Sequence, residues 1–237
     1  MDNRYMDTSQ YTIKVVLIVL ILSIAGIICV AIVVFGTPFA NRLAERYFKP
    51  SNSEGLILQF NGSFNGADGE QGFDTGLSFV AGHSGKGVLF NQEHSLYYLT
   101  EKNINREQGA IEFWLKPMWD GSDQQSYVFF EVGDSWFNRF RIMKDGANNL
   151  RFMVWSSKVE YDAACSVNNW VANDWQHIRA TWQTDSISLY LNGELCDTQT
   201  SVVMPDSLSS RLYIGSSSNQ DLQAQSVIDE FIIYPEP

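Results

Sequence analysis

The stretch Gly109-Ala-Ile-Glu-Phe-Trp-Leu-Lys-Pro117 places apolar side chains at every second position, namely Ile111, Phe113 and Leu115. The residues between them carry a carboxylate, an indole and an ammonium group. Because successive side chains of a β-strand point to opposite faces, this alternation predicts a strand that buries one face and turns the other toward solvent.

The same alternation recurs along the chain after Ser53, where no helical periodicity persists. Three further groups of apolar residues show it: Ile178, Ala180 and Trp182; Ile187, Leu189 and Leu191; and Phe231 and Ile233. The second group leads directly into Asn192-Gly193, a strong signal for a two-residue hairpin turn. Many short strands without intervening helices predict an all-β sandwich or barrel.

Six segments give this pattern a family resemblance. They are Gly82–Phe90, Gly109–Pro117, Trp175–Trp182, Ile187–Leu195, Leu212–Gly215 and Ile228–Tyr234. In this order they resemble the strand and turn motifs of laminin-G-like, concanavalin A-like lectin/glucanase domains. The resemblance implies an all-β, antiparallel two-sheet jelly-roll sandwich with a concave face. It does not fix the function, because this fold hosts lectins, adhesion modules, glycan-binding modules and glycosidases.

A long apolar segment precedes the domain. Residues 15–35 form a run of 21 without a charged side chain, mostly Val, Ile and Leu. A helix of this length spans about 30 Å, the thickness of a bilayer's hydrocarbon core. A cleaved signal peptide is the competing interpretation, but Pro38 and Phe39 stand where its cleavage site needs small residues. We predict a polar tail (1–14), a transmembrane helix (15–36), a connector (37–53) and a β-sandwich domain (54–237).

The predicted membrane helix carries small residues, Ser23, Ala25 and Gly26, which favour close packing against another helix. Two basic residues precede the apolar segment and three follow it before residue 51, which faintly favours a cytoplasmic domain. A disulfide within the domain would favour an oxidising compartment instead. We predict a single-pass protein whose amino terminus is cytoplasmic and whose domain is periplasmic or extracellular.

The domain is strongly acidic. The sequence has 16 basic and 27 acidic residues, of which 5 and 3 lie in residues 1–50, so residues 51–237 hold 11 and 24. The resulting net charge of −13 disfavours nucleic acid as a partner, because binding to phosphates relies on clustered Lys and Arg. Solubility is the simpler explanation for the acidity.

Two cysteines, Cys165 and Cys196, lie within the domain, and one disulfide would use both. Two buried free thiols are the alternative, because spacing along the sequence does not show whether the side chains face each other. The sequence has no C-x-x-C pair, so a structural zinc site and thioredoxin-like redox chemistry have no support.

The sequence predicts no catalytic site. Retaining glycosidases need two carboxylates about 5 Å apart in the cleft. The nearest candidate pairs are Glu131 with Asp134 and Asp229 with Glu230, and neither has the spacing of two that places side chains on one face of a strand. The sequence also contains no H-E-x-x-H motif and no G-x-S-x-G elbow.

The family resemblance implies one cofactor, a structural calcium ion. In similar folds the Asp of the closing strand binds Ca²⁺ together with backbone carbonyls from the turn after the first strand. The matching residues here are Asp229, with Asn61 and Gly62 as carbonyl donors, and hard oxygen ligands of this kind suit calcium. The alternative is that Asp229 accepts backbone hydrogen bonds where a loop crosses the sheet.

Three tryptophans, Trp119, Trp136 and Trp170, lie in turn-rich sequence. A tryptophan exposed in a loop is typical of a surface that binds sugar or protein. Capping of the hydrophobic core is the alternative for each of them.

Two functions follow from these features. We place first a non-catalytic scaffolding subunit, whose helix and extracytoplasmic sandwich stabilise a larger assembly through contacts with integral membrane proteins. The alternative is a cell-surface lectin or adhesion module that binds a glycan through the three tryptophans and neighbouring Asn and Asp side chains.

Overall fold

The computed structural model describes residues 55–91, 94–133, 135 and 137–237. The predicted tail, membrane helix and connector, with the packing residues Ser23, Ala25 and Gly26, lie outside the described residues. Trp136 lies outside them as well. Between Gly55 and Pro237 the described chain has no helix that is long and apolar enough to cross a bilayer.

The described residues form fifteen strands. In chain order they are β1 (Leu56–Leu58), β2 (Phe73–Asp74), β3 (Ser78–Ala81), β4 (Lys86–Phe90), β5 (Leu96–Leu99), β6 (Gly109–Pro117), β7 (Tyr127–Gly133), β8 (Asn138–Lys144), β9 (Asn149–Ser156), β10 (Val159–Ser166), β11 (Gln176–Gln183), β12 (Ser186–Leu191), β13 (Glu194–Thr200), β14 (Arg211–Ile214) and β15 (Ser226–Tyr234).

The strands pair into two antiparallel sheets. Sheet A has the order β13-β12-β11-β6-β15-β4-β3, with β1 paired to β15, and sheet B has the order β10-β9-β8-β7-β14-β5-β2. Neighbours in space are often distant in sequence, as in the pairing of β6 with β15. The predicted all-β antiparallel two-sheet sandwich is confirmed, and the topology is consistent with a jelly roll.

The hydrophobic core lies between the two sheets, as the alternation predicts. In β6 the side chains of Ile111, Phe113 and Leu115 have no exposed surface, whereas the polar positions between them are partly exposed. In β11 Trp182 packs edge-on against Phe140 of the opposite sheet, with 5.4 Å between the ring centroids. Apolar residues at every second position therefore decide which face of each strand turns inward.

The predicted hairpin forms at Asn192-Gly193, between β12 and β13. Both residues have positive φ angles, 52° and 86°. Positive φ at both central positions is characteristic of the type I′ turn, whose twist matches that of the flanking strands, and Asn and Gly are the residues that tolerate it.

A disulfide joins the outer edges of the two sheets. Cys165 lies on β10 at the edge of sheet B, Cys196 lies on β13 at the edge of sheet A, and their Sγ atoms are 2.10 Å apart. Next to it, the Asp197 carboxylate accepts a hydrogen bond from the backbone N–H of Ala164 at 3.0 Å. The covalent link therefore holds together two strands that belong to different sheets.

Candidate functional site

Two of the three tryptophans predicted to form a binding surface are buried. Trp119 is 7 % exposed and Trp170 is 4 % exposed. Their rings lie 5.9 Å apart, and Trp119 also stacks on Tyr127 at 4.6 Å and donates a hydrogen bond to the Ala224 carbonyl at 3.0 Å. The prediction of an exposed platform is therefore wrong for both, because the turns that carry them fold back over the end of the sandwich and cap its core. Trp136 lies outside the described residues.

Two of the three residues predicted to bind calcium, Asp229 and Asn61, contact the turn between β3 and β4. One oxygen of the buried Asp229 carboxylate accepts the Ser84 N–H at 2.9 Å, and the other accepts the Glu230 N–H at 2.8 Å. The Asn61 side-chain oxygen accepts the Lys86 N–H at 3.0 Å. Burial raises the pKa of Asp229 above its usual value, although these amide donors act in the opposite direction.

This arrangement does not fit a calcium site as it stands. Backbone N–H groups donate to both Asp229 oxygens, which leaves fewer lone pairs for a cation, whereas calcium needs six to eight oxygen ligands. Within the described residues, no group of three or more His, Cys, Asp and Glu side chains could hold a metal. The hydrogen bonds of Asp229 match the alternative that the sequence left open, so we expect Asp229 to act as an acceptor of backbone hydrogen bonds rather than as a calcium ligand.

Chelation tests the calcium prediction directly. We expect the thermal midpoint of the full-length protein to be the same in excess EGTA and in excess calcium, since amide donors already satisfy Asp229. A midpoint that falls in EGTA, recovers with calcium, and loses this response in Asp229→Ala would show that calcium is bound after all.

Three of the four carboxylates considered for catalysis, Glu131, Asp229 and Glu230, are engaged in other contacts. Glu230 lies 2.8 Å from His83 Nδ1, while Asp229 holds the turn at residues 82–86. Glu131 is buried in an ion pair, and Asp134 lies outside the described residues. The absence of catalysis stays a prediction.

The outward face of sheet A carries a network of side chains that contact one another. His83 stacks on Trp114 with 3.7 Å between ring centroids, and His177 lies against the same indole at 4.9 Å. Glu112 bonds His177 at 3.0 Å and Arg179 at 2.7 Å. Burial opposes the ionisation of Glu112, but these partners outweigh it and lower its pKa to about 2. The Trp114 ring is therefore already covered by the chain itself.

Direct pairing across sheet B aligns one residue from each of its seven strands, a set here called the cross-strand row. From β2 to β10 its members are Phe73, Tyr97, Tyr213, Glu131, Arg141, Met153 and Asp162. Residues paired directly on neighbouring strands point to the same face of a sheet. The adjacent residues Phe130, Phe140 and Phe152 are in the core, so the row lies on the face of sheet B that points away from it.

Aromatic rings form one end of the cross-strand row. The rings of Phe73 and Tyr97 stack at 4.9 Å, and Tyr213 follows at 5.8 Å from Tyr97; all three are partly exposed. Arg211 is exposed, and its guanidinium carbon lies 4.5 Å from the centre of the Tyr97 ring. We call Phe73, Tyr97 and Tyr213 the aromatic strip; it offers apolar ring surface beside two phenol groups and a cation.

A buried carboxylate lies at the centre of the row, directly beside the strip. One Glu131 oxygen forms an ion pair with Arg141 and lies 3.9 Å from Arg139 Nε, while the other accepts the Ser218 N–H at 2.8 Å. Both guanidinium groups also lie over the Trp155 ring, at 5.5 and 5.7 Å. These contacts fix the side chains next to the strip and hold the β14–β15 connection against this face.

The aromatic strip was not predicted from the sequence. Its three residues lie on short strands that are far apart in the chain, so only strand pairing brings them together. A signal was present in Arg211-Leu-Tyr-Ile214, where Arg211 and Tyr213 alternate with buried Leu212 and Ile214. That alternation predicts two outward side chains but not their neighbours on other strands.

Comparison with known proteins identifies the family. The sequence model of a family described as "Concanavalin A-like lectin/glucanases superfamily" matches residues 91–237. No curated protein sequence matches the chain at a significant level.

Solved structures share the fold at low sequence identity. Domain 4 of AbnA, an extracellular arabinanase from Geobacillus stearothermophilus, in complex with arabinotriose, has a TM-score of 0.63 at 15 % identity, covering 78 % of this chain and 93 % of that one. The binding domain of botulinum neurotoxin serotype D has a TM-score of 0.62 at 15 % identity, covering 78 % and 49 %. The binding domain of botulinum neurotoxin DC in complex with SialylT has a TM-score of 0.60 at 15 % sequence identity. The match covers 78 % of this chain and 48 % of that one. This chain therefore spans about half the length of the toxin binding domains that it matches.

Proposed function

Because the chain belongs to the concanavalin A-like lectin/glucanase superfamily, we propose that it is a non-catalytic carbohydrate-binding protein that holds a glycan on the outward face of sheet B. The observation that carries this proposal is the aromatic strip beside the fixed Glu131–Arg141 pair. Ligand sites combine aromatic lining with a few oriented polar groups, and this face has both.

The chemistry of the face suits a sugar. A sugar ring has apolar C–H surface, which packs on aromatic side chains, and hydroxyl groups, which need hydrogen-bond partners. Tyr97 and Tyr213 provide both kinds of contact, since a phenol pairs an apolar ring with a polar tip. Arg211 adds donors at the edge of the strip. A glycan lying along the aromatic strip would meet Phe73, Tyr97 and Tyr213 on three neighbouring strands, about 4.8 Å apart.

Relatives of the same fold support this proposal. The structures of AbnA domain 4 and of the neurotoxin DC binding domain were each solved in complex with a named ligand, arabinotriose and SialylT. The identities of about 15 % show only the fold, so the location of the site on this chain is argued from its own residues.

The predicted transmembrane helix indicates where in the cell the glycan would be bound. The apolar segment at 15–36 would hold the domain at a membrane, with the domain outside the cytoplasm, where glycans are met. The described residues give no support to the scaffolding function that the sequence analysis favoured.

Truncating the aromatic strip tests the proposed face. We expect Tyr213→Ala and Tyr97→Ala each to weaken glycan binding about 5-fold or more, since removing a central aromatic side chain from a binding surface costs more than about 1 kcal/mol. The measurement is a glycan array with the full-length protein, followed by calorimetric titration of the best ligand.

Tyr190→Ala is the matched control, because Tyr190 is a partly exposed tyrosine on the outward face of sheet A. It should bind like the native protein. Equal losses in Tyr190→Ala and Tyr213→Ala would place the site elsewhere. If the native protein instead binds no glycan and co-purifies in stoichiometric amounts with integral membrane proteins, that outcome would support the scaffolding function.

A further inference from the structure

We infer that the glycan held by the cross-strand row carries a carboxylate group, and that Arg211 binds it. This inference rests on the proposed function and adds the chemical class of the ligand. Three features support it: the carboxylate partners of the other arginines, the contacts of Arg211, and the charges on the outward face of sheet B.

Arg211 differs from the other described arginines in its lack of a carboxylate partner. Five arginines form ion pairs with Asp or Glu side chains: Arg106, Arg139, Arg141, Arg151 and Arg179. No such pair is formed by Arg211 within the part of the chain that the structure describes, although acidic residues outnumber basic ones by 27 to 16. An exposed guanidinium without a partner carboxylate retains its full capacity to bind one.

The surroundings of Arg211 orient it toward the aromatic strip. It lies two residues before Tyr213 on β14, and its guanidinium lies over the ring of Tyr97 on β5. Stacking on an aromatic ring leaves the N–H groups at the edge of a guanidinium free to donate. These groups form a planar fork that matches a carboxylate in two parallel hydrogen bonds. Next to Arg211, the paired residue Leu99 is exposed, so no side chain of the described residues covers Leu99 on this side of the strip.

The charge of this face differs from that of the domain. Among the charged residues on the strands of sheet B, those that point away from the core are four basic ones, Arg139, Arg141, Arg151 and Arg211, and three acidic ones, Glu131, Glu160 and Asp162. The whole of residues 51–237 has a net charge of −13, so the acidic excess lies elsewhere. Because charges farther apart than about 8 Å are largely screened at physiological salt, the acidic remainder of the domain does not prevent an anion from binding beside Arg211.

A set of matched glycans tests the inference on the full-length protein. Each pair on the array shares one backbone and differs only in a uronic acid carboxylate that is replaced by its neutral methyl ester, with trigalacturonic acid and its methyl ester as the pair for titration. We expect the native protein to bind the acidic members at least about 10-fold more tightly, since two parallel charge-assisted hydrogen bonds join a guanidinium to a carboxylate.

Arg211→Gln should abolish this preference, because acidic members should lose at least about 10-fold more affinity than neutral ones, and Arg211→Lys should retain only part of it. Lys86→Gln is the control, because it removes one exposed charge from sheet A; its preference should equal that of the native protein. Equal affinity of the native protein for acidic and neutral members, equal losses for both in Arg211→Gln, or equally tight binding of sulfated glycans would overturn the carboxylate assignment and leave the proposed function intact. Absence of binding to any glycan would overturn both.

Discussion

Replacing Lys144 with methionine is expected to lower the free energy of unfolding by about 3–5 kcal/mol, the range found when one partner of a buried ion pair is removed. The Lys144 side chain is completely buried. Its ammonium group donates to Asp123 at 2.7 Å, to the Asn148 side chain at 2.8 Å and to the Gln125 carbonyl at 2.9 Å. Methionine fills a similar volume but donates nothing, so Asp123 would lose its counter-ion and the buried Asn148 side chain would lose a donor.

The contacts of Lys144 explain why this loss should be large. Burial disfavours the charged form of Asp123, but the hydrogen bonds from Lys144 and Tyr127 outweigh it and lower the pKa of this carboxyl. The ammonium also lies 5.5 Å from the centre of the Trp119 ring. Lys144 therefore joins the loop after Trp119, the turn at Asn148 and the aromatic cap of the core.

Chemical denaturation of the full-length protein measures the effect, and the thermal midpoint should fall by about 10 °C at about 2–4 °C per kcal/mol. Lys116→Met is the matched control, since Lys116 also lies over a tryptophan ring, at 5.1 Å from Trp175, but on the partly exposed outward face of sheet A. We expect it to cost less than about 1 kcal/mol. Similar losses in the two variants would contradict the stabilising role given to the hydrogen bonds of the Lys144 ammonium.

Replacing Glu131 with glutamine is expected to cost about 3–5 kcal/mol and to weaken glycan binding as well. Glu131 is fully buried, and Arg141 and Arg139 are 16 % and 11 % exposed. Glutamine keeps an oxygen for the Ser218 N–H but removes the charge that balances two largely buried guanidinium groups. Their displacement would disturb the row beside Tyr213, so stability and binding should fall together.

Glu160→Gln provides the matched control on the same face. Glu160 pairs with Arg151 but is 37 % exposed, and such a pair contributes about 0–1 kcal/mol. Urea denaturation should separate the two variants by their midpoints with an unchanged slope. A Glu131→Gln protein as stable as Glu160→Gln would show that the central ion pair is not needed to hold this face.

The fold could be predicted because its determinants are local. The alternation in Gly109–Pro117 gives β6 with the predicted bounds and the predicted inward face. Asn192-Gly193 gives the predicted hairpin, because few residues tolerate positive φ at two successive positions. Such signals need only a few adjacent residues and can therefore be recognised in a single sequence.

The candidate site could not be predicted in the same way. Trp119 and Trp170 lie in turn-rich sequence, yet their rings are buried, because a loop can fold back over the end of a sandwich and contribute to its core. Tyr97 and Tyr213 belong to strands more than 100 residues apart, and no local pattern pairs them. The buried partners of Lys144 come from two separate turns.

The sequence by itself therefore determined the class of fold, the inward face of each strong strand and the hairpin turn, since these depend on side-chain periodicity and backbone preference. Tertiary structure alone decided which outward side chains meet. Strand order and register align Phe73, Tyr97, Tyr213 and Glu131 across four strands of sheet B. The reason is physical: hydrogen bonding between strands is independent of sequence separation, so neighbours in a sheet are set by the pairing of the whole chain.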